Sequence, residues 1–319
     1  MLGDFDGTVP VPPGGTIGDG GAIFDGGDGG STALAIASNP KAVVVFGGNV
    51  YYTNYASGGT DGSLSTVPTG GGTETDLATG LSAPWALSVG GGFAFFTTAP
   101  TAGTGAVYSI PTTGGSPTPL QSTATGALGI VNDGTNVYWT LATSGVNIEM
   151  VAMSGGTPKD LLDFGGDITP TALTISGTSL FVGTTGTQAA VLTGLTSGSG
   201  NLSELDTPTS VTMGDVVASS TNVYVTIDDI APNGQIISYP RGTGSPQTIA
   251  TSLNHPQRLA LDGTNLYFTD PTGGNVWVVD LTSNTTSLYV SGLNAPLPIA
   301  VSDALYVGDA DAIVRIAKL

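Results

Sequence analysis

Few residues in this sequence could do chemistry, and they sit close to a small set of others. His255 is the only histidine, Glu74, Glu149 and Glu204 are the only glutamates, and there is no cysteine. A single histidine can serve as a general base. With no thiol, nucleophilic cysteine, thiolate metal sites and disulfides are all excluded. Near His255 stand Asn254, Gln257 and Arg258. Asn39 and Lys41, Trp85, Asp215 and Asn294 occupy matching or adjacent places elsewhere in the chain. Two kinds of chemistry fit these types. Asp215 and Arg258 can form an ion pair beside the Trp85 ring, an arrangement that orients a sugar or a peptide. The oxygens of Asn39, Asp215, Asn254 and Asn294 could instead gather around calcium. Only one of the four is a carboxylate, so such a site would carry little charge.

What brings these positions together is a repeat. An aromatic and β-branched motif recurs seven times: Val50-Tyr51-Tyr52-Thr53-Asn54, Ala94-Phe95-Phe96-Thr97-Thr98, Val137-Tyr138-Trp139-Thr140, Leu180-Phe181-Val182-Gly183, Val223-Tyr224-Val225-Thr226, Leu266-Tyr267-Phe268-Thr269-Asp270 and Leu305-Tyr306-Val307-Gly308-Asp309. The central aromatics are spaced by 44, 43, 43, 43, 43 and 39 residues. Each repeat carries four strand signals. An apolar run such as Leu259-Ala260-Leu261 leads through an Asp-Gly type turn to the aromatic strand. A third strand such as Asn275-Val276-Trp277-Val278-Val279 and a shorter, more polar fourth strand follow. A four-stranded unit of this length cannot bury both of its faces alone, and radial stacking buries them. The expected fold is therefore all-β, a seven-bladed β-propeller of four-stranded antiparallel blades.

The ends of the chain offer a check. The last repeat stops at its third strand, Ile313-Val314-Arg315-Ile316-Ala317, and Ala33-Leu34-Ala35-Ile36-Ala37 precedes the first. The N-terminal segment should therefore close the ring as the outer strand of the last blade, with Leu34 and Ile36 beside Val314 and Ile316. Residues 32–319 form the propeller on this reading. Residues 1–31, with 11 glycines, 5 aspartates and no lysine or arginine, read as a tail or linker that could serve self-assembly. Asp25-Gly26-Gly27-Asp28 has Gly-Asp character but no nine-residue period, which fits a solvated linker better than a calcium roll.

The motif strands, preceded by Pro256-Gln257-Arg258-Leu259-Ala260-Leu261-Asp262-Gly263, resemble the YWTD and NHL repeats and the bacterial propellers grouped near streptogramin lyases and lactonases. The resemblance covers residues 33–319. It implies the fold firmly and implies secreted binding modules, receptor ectodomains or a few enzymes as functions. Leu266 to Asp270 carries the YWTD-like pattern most fully, whereas Leu180 to Gly183 and Leu305 to Asp309 depart from it. In those families the motif is structural, so Tyr267 and Asp270 carry no catalytic implication.

Aligning the repeats places Gln257 with Lys41, Trp85, Leu128, Thr171, Gly214 and Leu297, and Arg258 with Ala42, Ala86, Gly129, Ala172, Asp215 and Pro298. These positions ring the central channel mouth, where loops of a rigid scaffold carry function. Asp61, Asp228, Asp229, Asp270, Asp309 and Asp311 fall in or beside loops of the same face and would make it acidic.

The formal charge is −18, from 24 acidic and 6 basic residues. Scattered basic residues disfavour nucleic acid and anionic membranes. No apolar run approaches the ~18 residues of a membrane span, and no signal peptide is expected from the N-terminal residues. A surface rich in Thr, Ser, Gly and Asn points to an extracellular, cell-surface or periplasmic setting. The expectation is a non-catalytic module recognising a protein, peptide or glycan, or assembling into an extracellular structure, without a cofactor. The alternative is a metal-assisted lactonase or lyase using Asp215, His255 and the mouth asparagines.

Overall fold

The aromatic motif explains the architecture, because neighbouring residues of a strand point to opposite faces. Tyr51 packs toward the second blade and Tyr52 toward the seventh; Phe95 faces the third blade and Phe96 the first. Tyr267 and Phe268 divide in the same way between the seventh and fifth blades. Each paired motif thus feeds two interfaces and leaves no face for solvent. In this computed structural model, which describes residues 31–318 apart from 57–60, 99–104, 142–147, 164–167, 187–190, 198–202, 207–211 and 229–232, the strands form seven four-stranded antiparallel sheets. The core is seven apolar wedges, one between each pair of adjacent blades. The protein is a seven-bladed β-propeller.

Six blades are continuous in sequence, beginning with inner strands Pro40–Phe46, Pro84–Gly90, Ile130–Asn132, Ile168–Ser176, Thr212–Ala218 and Leu259–Asp262. The seventh is composite. Its strands Ile299–Val301, Ala304–Gly308 and Ala312–Ala317 are completed on the outside by Ser31–Ile36. The expected closure is therefore present, with one correction to its register. Ala33 lies opposite Val314 and Ser31 opposite Ile316, whereas Leu34 falls in a bulge before Ala35 pairs with Ile313. The bulge turns Leu34 and Ala35 into the wedge against the first blade and leaves Ile36 73% exposed. Asp229 and the tail before Ser31 lie outside the described residues. Among the described residues no helix is long and apolar enough to cross a membrane.

Turn chemistry follows the sequence. Pro68-Thr69-Gly70-Gly71-Gly72, Pro111 to Gly115 and Ser154-Gly155-Gly156 connect third to fourth strands. Their paired glycines take φ of 85 and 138°, 85 and 135°, and 88 and 135°, a conformation that side chains strongly disfavour.

The threonine of the motif fastens the blades around the channel. Thr53, Thr97, Thr140, Thr226 and Thr269 are fully buried. Their hydroxyls accept from the inner strand of their own blade: Ala42 N–H at 3.1 Å, Ala86 at 3.1 Å, Gly129 at 2.9 Å, Asp215 at 2.8 Å and Arg258 at 3.2 Å. Thr53, Thr226 and Thr269 also donate to the next blade, at the carbonyls of Trp85, Gln257 and Leu297. Two repeats carry glycine here for different reasons. A Cβ on Gly308 would stand 2.4 Å from Pro298 Cγ and 2.8 Å from Pro40 Cγ, whereas on Gly183 it would meet nothing nearer than 3.6 Å. Gly308→Ala is expected to cost about 1–3 kcal/mol by overpacking, and Gly183→Ala to gain about 0.4–1 kcal/mol through reduced unfolded-chain entropy. Urea unfolding of the two variants measures both signs.

Candidate functional site at the channel mouth

The inner strands begin at one end of the channel, and their first residues set what faces it. They enclose a cavity of about 140 Å³ whose lining includes Lys41, Trp85, Thr171, Asp215, Arg258 and Pro298. Of the nine residues expected at the mouth, the structure brings Lys41, Trp85, Asp215 and Arg258 together there.

Asp215 is held by three fixed dipoles. Its own N–H donates to Thr226, its Oδ1 accepts the Val216 N–H at 2.9 Å, and its Oδ2 accepts the Leu259 N–H of the next blade at 2.9 Å. The Arg258 guanidinium approaches to 3.9 Å, an ion pair without a hydrogen bond. Burial pushes the carboxyl above its ordinary range, against the opposing pull of Arg258 and the two backbone amides. Removing the carboxylate leaves the Leu259 N–H without its acceptor, so Asp215→Ala is expected to cost about 1–3 kcal/mol, read as a lowered urea midpoint.

Arg258 Nε is buried and has no hydrogen-bond partner among the described residues. Lys41 Nζ donates to Asn39 Oδ1 at 2.7 Å and lies 5.2 Å from the Tyr55 ring centre and 5.6 Å from that of Trp85. The two rings meet edge to face at 5.6 Å. Burial first, and then the Arg258 charge, lower the Lys41 pKa. The cavity lining itself holds two cations and one carboxylate, one excess positive charge, inside a rim that carries Asp228, Asp270 and Asp311.

The other expected residues stand around the rim. Asn39 supports Lys41. Asn254 donates to Asp270 at 3.2 Å, and Asn294 to Asp311 at 3.2 Å. His255 Nδ1 lies 3.0 Å from Asp228 Oδ1, and Gln257 donates to the other oxygen of that carboxylate. The four side chains considered for calcium are therefore engaged with separate partners, Asn254 and Asn294 through their amide nitrogens. Among the described residues no three of His, Cys, Asp or Glu gather to hold a metal ion.

The location of His255 has a backbone cause. Asn39, Ala83, Gly126, His255 and Ala295 are equivalent residues and share a left-handed φ of 50, 49, 68, 48 and 53°. Asn, Gly and His tolerate this region better than most residues. Thr169 and Thr212, the equivalents in the other two blades, are β-branched and lie within strands instead. His255 thus sits at a turn position of the scaffold, oriented by Asp228.

Sequence reasoning missed Tyr55 and the role of Asp228. Tyr55 carried a signal, as an aromatic just after the motif where the other repeats have Ala99, Ala142, Thr185, Asp228, Pro271 and Ala310. Asp228 was visible only as a loop acid, because its partners are 27 and 29 residues away.

No family profile matches the sequence, and no curated protein matches it. Solved structures do. A chain of the nidogen/laminin complex is 17% identical with a TM-score of 0.57, covering 72% of this chain and 91% of that one. Hydrazine synthase of Kuenenia stuttgartiensis is 14% identical with a TM-score of 0.70, covering 88% of this chain and 96% of that one. The computationally designed Ika8 protein is 16% identical with a TM-score of 0.63, covering 90% and 86%. At these identities the likeness is one of fold.

Proposed function

We propose that this protein is a non-catalytic recognition module of an extracellular, cell-surface or periplasmic setting, which takes one group of a peptide or glycan ligand into the channel mouth. The observation that carries this reading is the convergence of Lys41, Trp85, Asp215 and Arg258 on one small cavity. Their neighbours at equivalent positions are small or apolar, such as Ala42, Ala86 and Gly129. A ring built on buried threonine ties holds these side chains with little reorganisation on binding, which favours affinity. The resemblance of the repeats to YWTD and NHL propellers supports the same role. So does the likeness in fold to a chain found in a protein complex.

The test compares the native chain with a Lys41→Ala, Trp85→Ala double variant on glycan and peptide arrays. Both side chains are partly exposed, so the variant should remain folded. Ligands that use the mouth should bind it at least about tenfold more weakly, the equivalent of 1.4 kcal/mol. Retention of every signal by the variant would remove the mouth from the protein's function.

A further inference from the structure

We infer that the group taken by the mouth is a carboxylate-bearing sugar ring, a uronate, an inference that rests on the recognition reading above. The first argument is the placement of cations. Among the six basic residues, Arg315 pairs with Asp303 at 3.1 Å and Lys318 pairs with Asp262. Arg241 spends its guanidinium on Ser176, the Ser219 carbonyl and the Phe181 ring. Lys159 lies exposed on an outer strand. Lys41 and Arg258 alone share an opening, and neither is hydrogen-bonded to a carboxylate among the described residues. The Arg258 Nε is buried without a partner. Like charges brought together in a partly desolvated site repel, and a bound anion relieves that repulsion.

The second argument is the count of charge. One excess positive charge matches a monoanion. A phosphate dianion would exceed it and would face Asp215 directly. Asp215 instead calls for a ligand that also donates hydrogen bonds. Each of its oxygens accepts one backbone N–H and can accept more. Sugar hydroxyls meet that need, and the Thr171 hydroxyl in the wall, which donates to the Gly183 carbonyl at 3.0 Å, can accept from one as well. Trp85, braced by Tyr55, offers an aromatic surface for the apolar face of a ring. A simple fatty carboxylate would leave Asp215 unused, a net-neutral amino acid would leave the excess positive charge unmatched, and a neutral sugar would leave Lys41 without a carboxylate and Arg258 with only its 3.9 Å ion pair. The cavity, about 140 Å³ and open to solvent, is of a size to seat one ring at its mouth.

The experiment uses the full chain with D-glucuronate and D-galacturonate, set against D-glucose, D-glucuronamide and acetate. Titration calorimetry and tryptophan fluorescence report binding. At least one uronate should bind saturably with a Kd of about 1 mM, the scale of a single small ligand. Glucuronamide, glucose and acetate should bind at least about tenfold more weakly, as the loss of a charge-assisted contact predicts. Lys41→Gln, at a partly exposed side chain that anchors no strand, should lose about fivefold or more with an unchanged melting temperature. Arg258→Gln should lose at least as much. Equal binding of glucuronate and glucuronamide, indifference to both substitutions, or no binding of either uronate overturns the inference. Mouth-dependent array signals confined to neutral glycans or to peptides would overturn it while leaving the recognition reading in place. A double variant that keeps every array signal overturns both.

Discussion

A chain lacking residues 1–37 is expected to lose about 5 kcal/mol or more of stability and to associate at its exposed edge. Strand Ser31–Ile36 supplies the outer rung of the seventh blade, with Ala33, Leu34 and Ala35 buried. Ala33 sits in the wedge between the sixth and seventh blades, and Leu34, Ala35 and Ala37 in the wedge between the seventh and first. Burial of Leu34 alone contributes about 1.5–3 kcal/mol, and each lost backbone hydrogen bond costs about 0.5–1.5 kcal/mol. The loss is concentrated at the one place where the ring depends on distant parts of the chain. Two further ties go with it or are strained by it: Ala37 N–H donates to the Asp311 carbonyl, and Asn39 N–H to that of Ala310. Strand Ala312–Ala317 would then become an open edge, which favours pairing with another copy. Urea unfolding should show a lower midpoint and a shallower slope, and sedimentation should show oligomers. A peptide spanning residues 31–37, added in excess, should restore part of the midpoint. An unchanged midpoint in the truncated chain would mean that the seam does not hold the ring closed.

This seam also shows how far the sequence could be read. That the N-terminal segment belongs to the last blade followed from a last repeat with three strand signals and from the apolar segment Ala33 to Ala37 ahead of the first repeat. The bulge at Leu34 did not follow. Alternation of apolar residues places Leu34 and Ile36 on one face, but Ala33, Leu34 and Ala35 are consecutive and all buried. A bulge lets them fill two wedges at once, which is a demand of packing between blades and not of the strand itself.

The channel mouth divides along the same line. Lys41, Trp85, Asp215 and Arg258 were legible because they occupy repeat positions whose place in the ring is fixed by counting from the aromatic strand. The partners of the rim residues were not, since Asp228 reaches His255 and Gln257 across a blade boundary. Whether an asparagine or histidine points at a ligand or at a loop carboxylate depends on such distant contacts. Asn254, His255 and Asn294 are spent on Asp270, Asp228 and Asp311. The acids that seemed to make the face negative are thus partly occupied in holding its loops. The same pairing leaves Lys41 and Arg258 at the centre without a hydrogen bond to any carboxylate among the described residues.

Two of the three tryptophans, Trp85 and Trp139, should respond differently to removal, which separates scaffold from site. Trp139 is fully buried in the wedge between the second and third blades, against Phe95, Val107, Leu120, Ala124 and Ala127. Its indole N–H donates to Glu149 Oε2 at 3.0 Å, and Gln121 donates to the same oxygen at 3.3 Å. Trp139→Ala empties a space that rigid neighbouring blades cannot close, and it is expected to cost about 3–5 kcal/mol. Trp139→Phe should cost less, because it keeps most of the apolar volume and Gln121 still serves Glu149. Trp85 is only partly buried, at the wall of an open cavity. Trp85→Ala should change stability by less than about 1 kcal/mol, since the side chain is only partly buried, belongs to no core wedge and meets Tyr55 and Lys41 at the opening, and its effect should fall on ligand affinity. Urea midpoints of the three variants give the comparison. If Trp85→Ala were as damaging to the fold as Trp139→Ala, Trp85 would be a core residue like the other, and the mouth would lose the aromatic wall on which recognition depends.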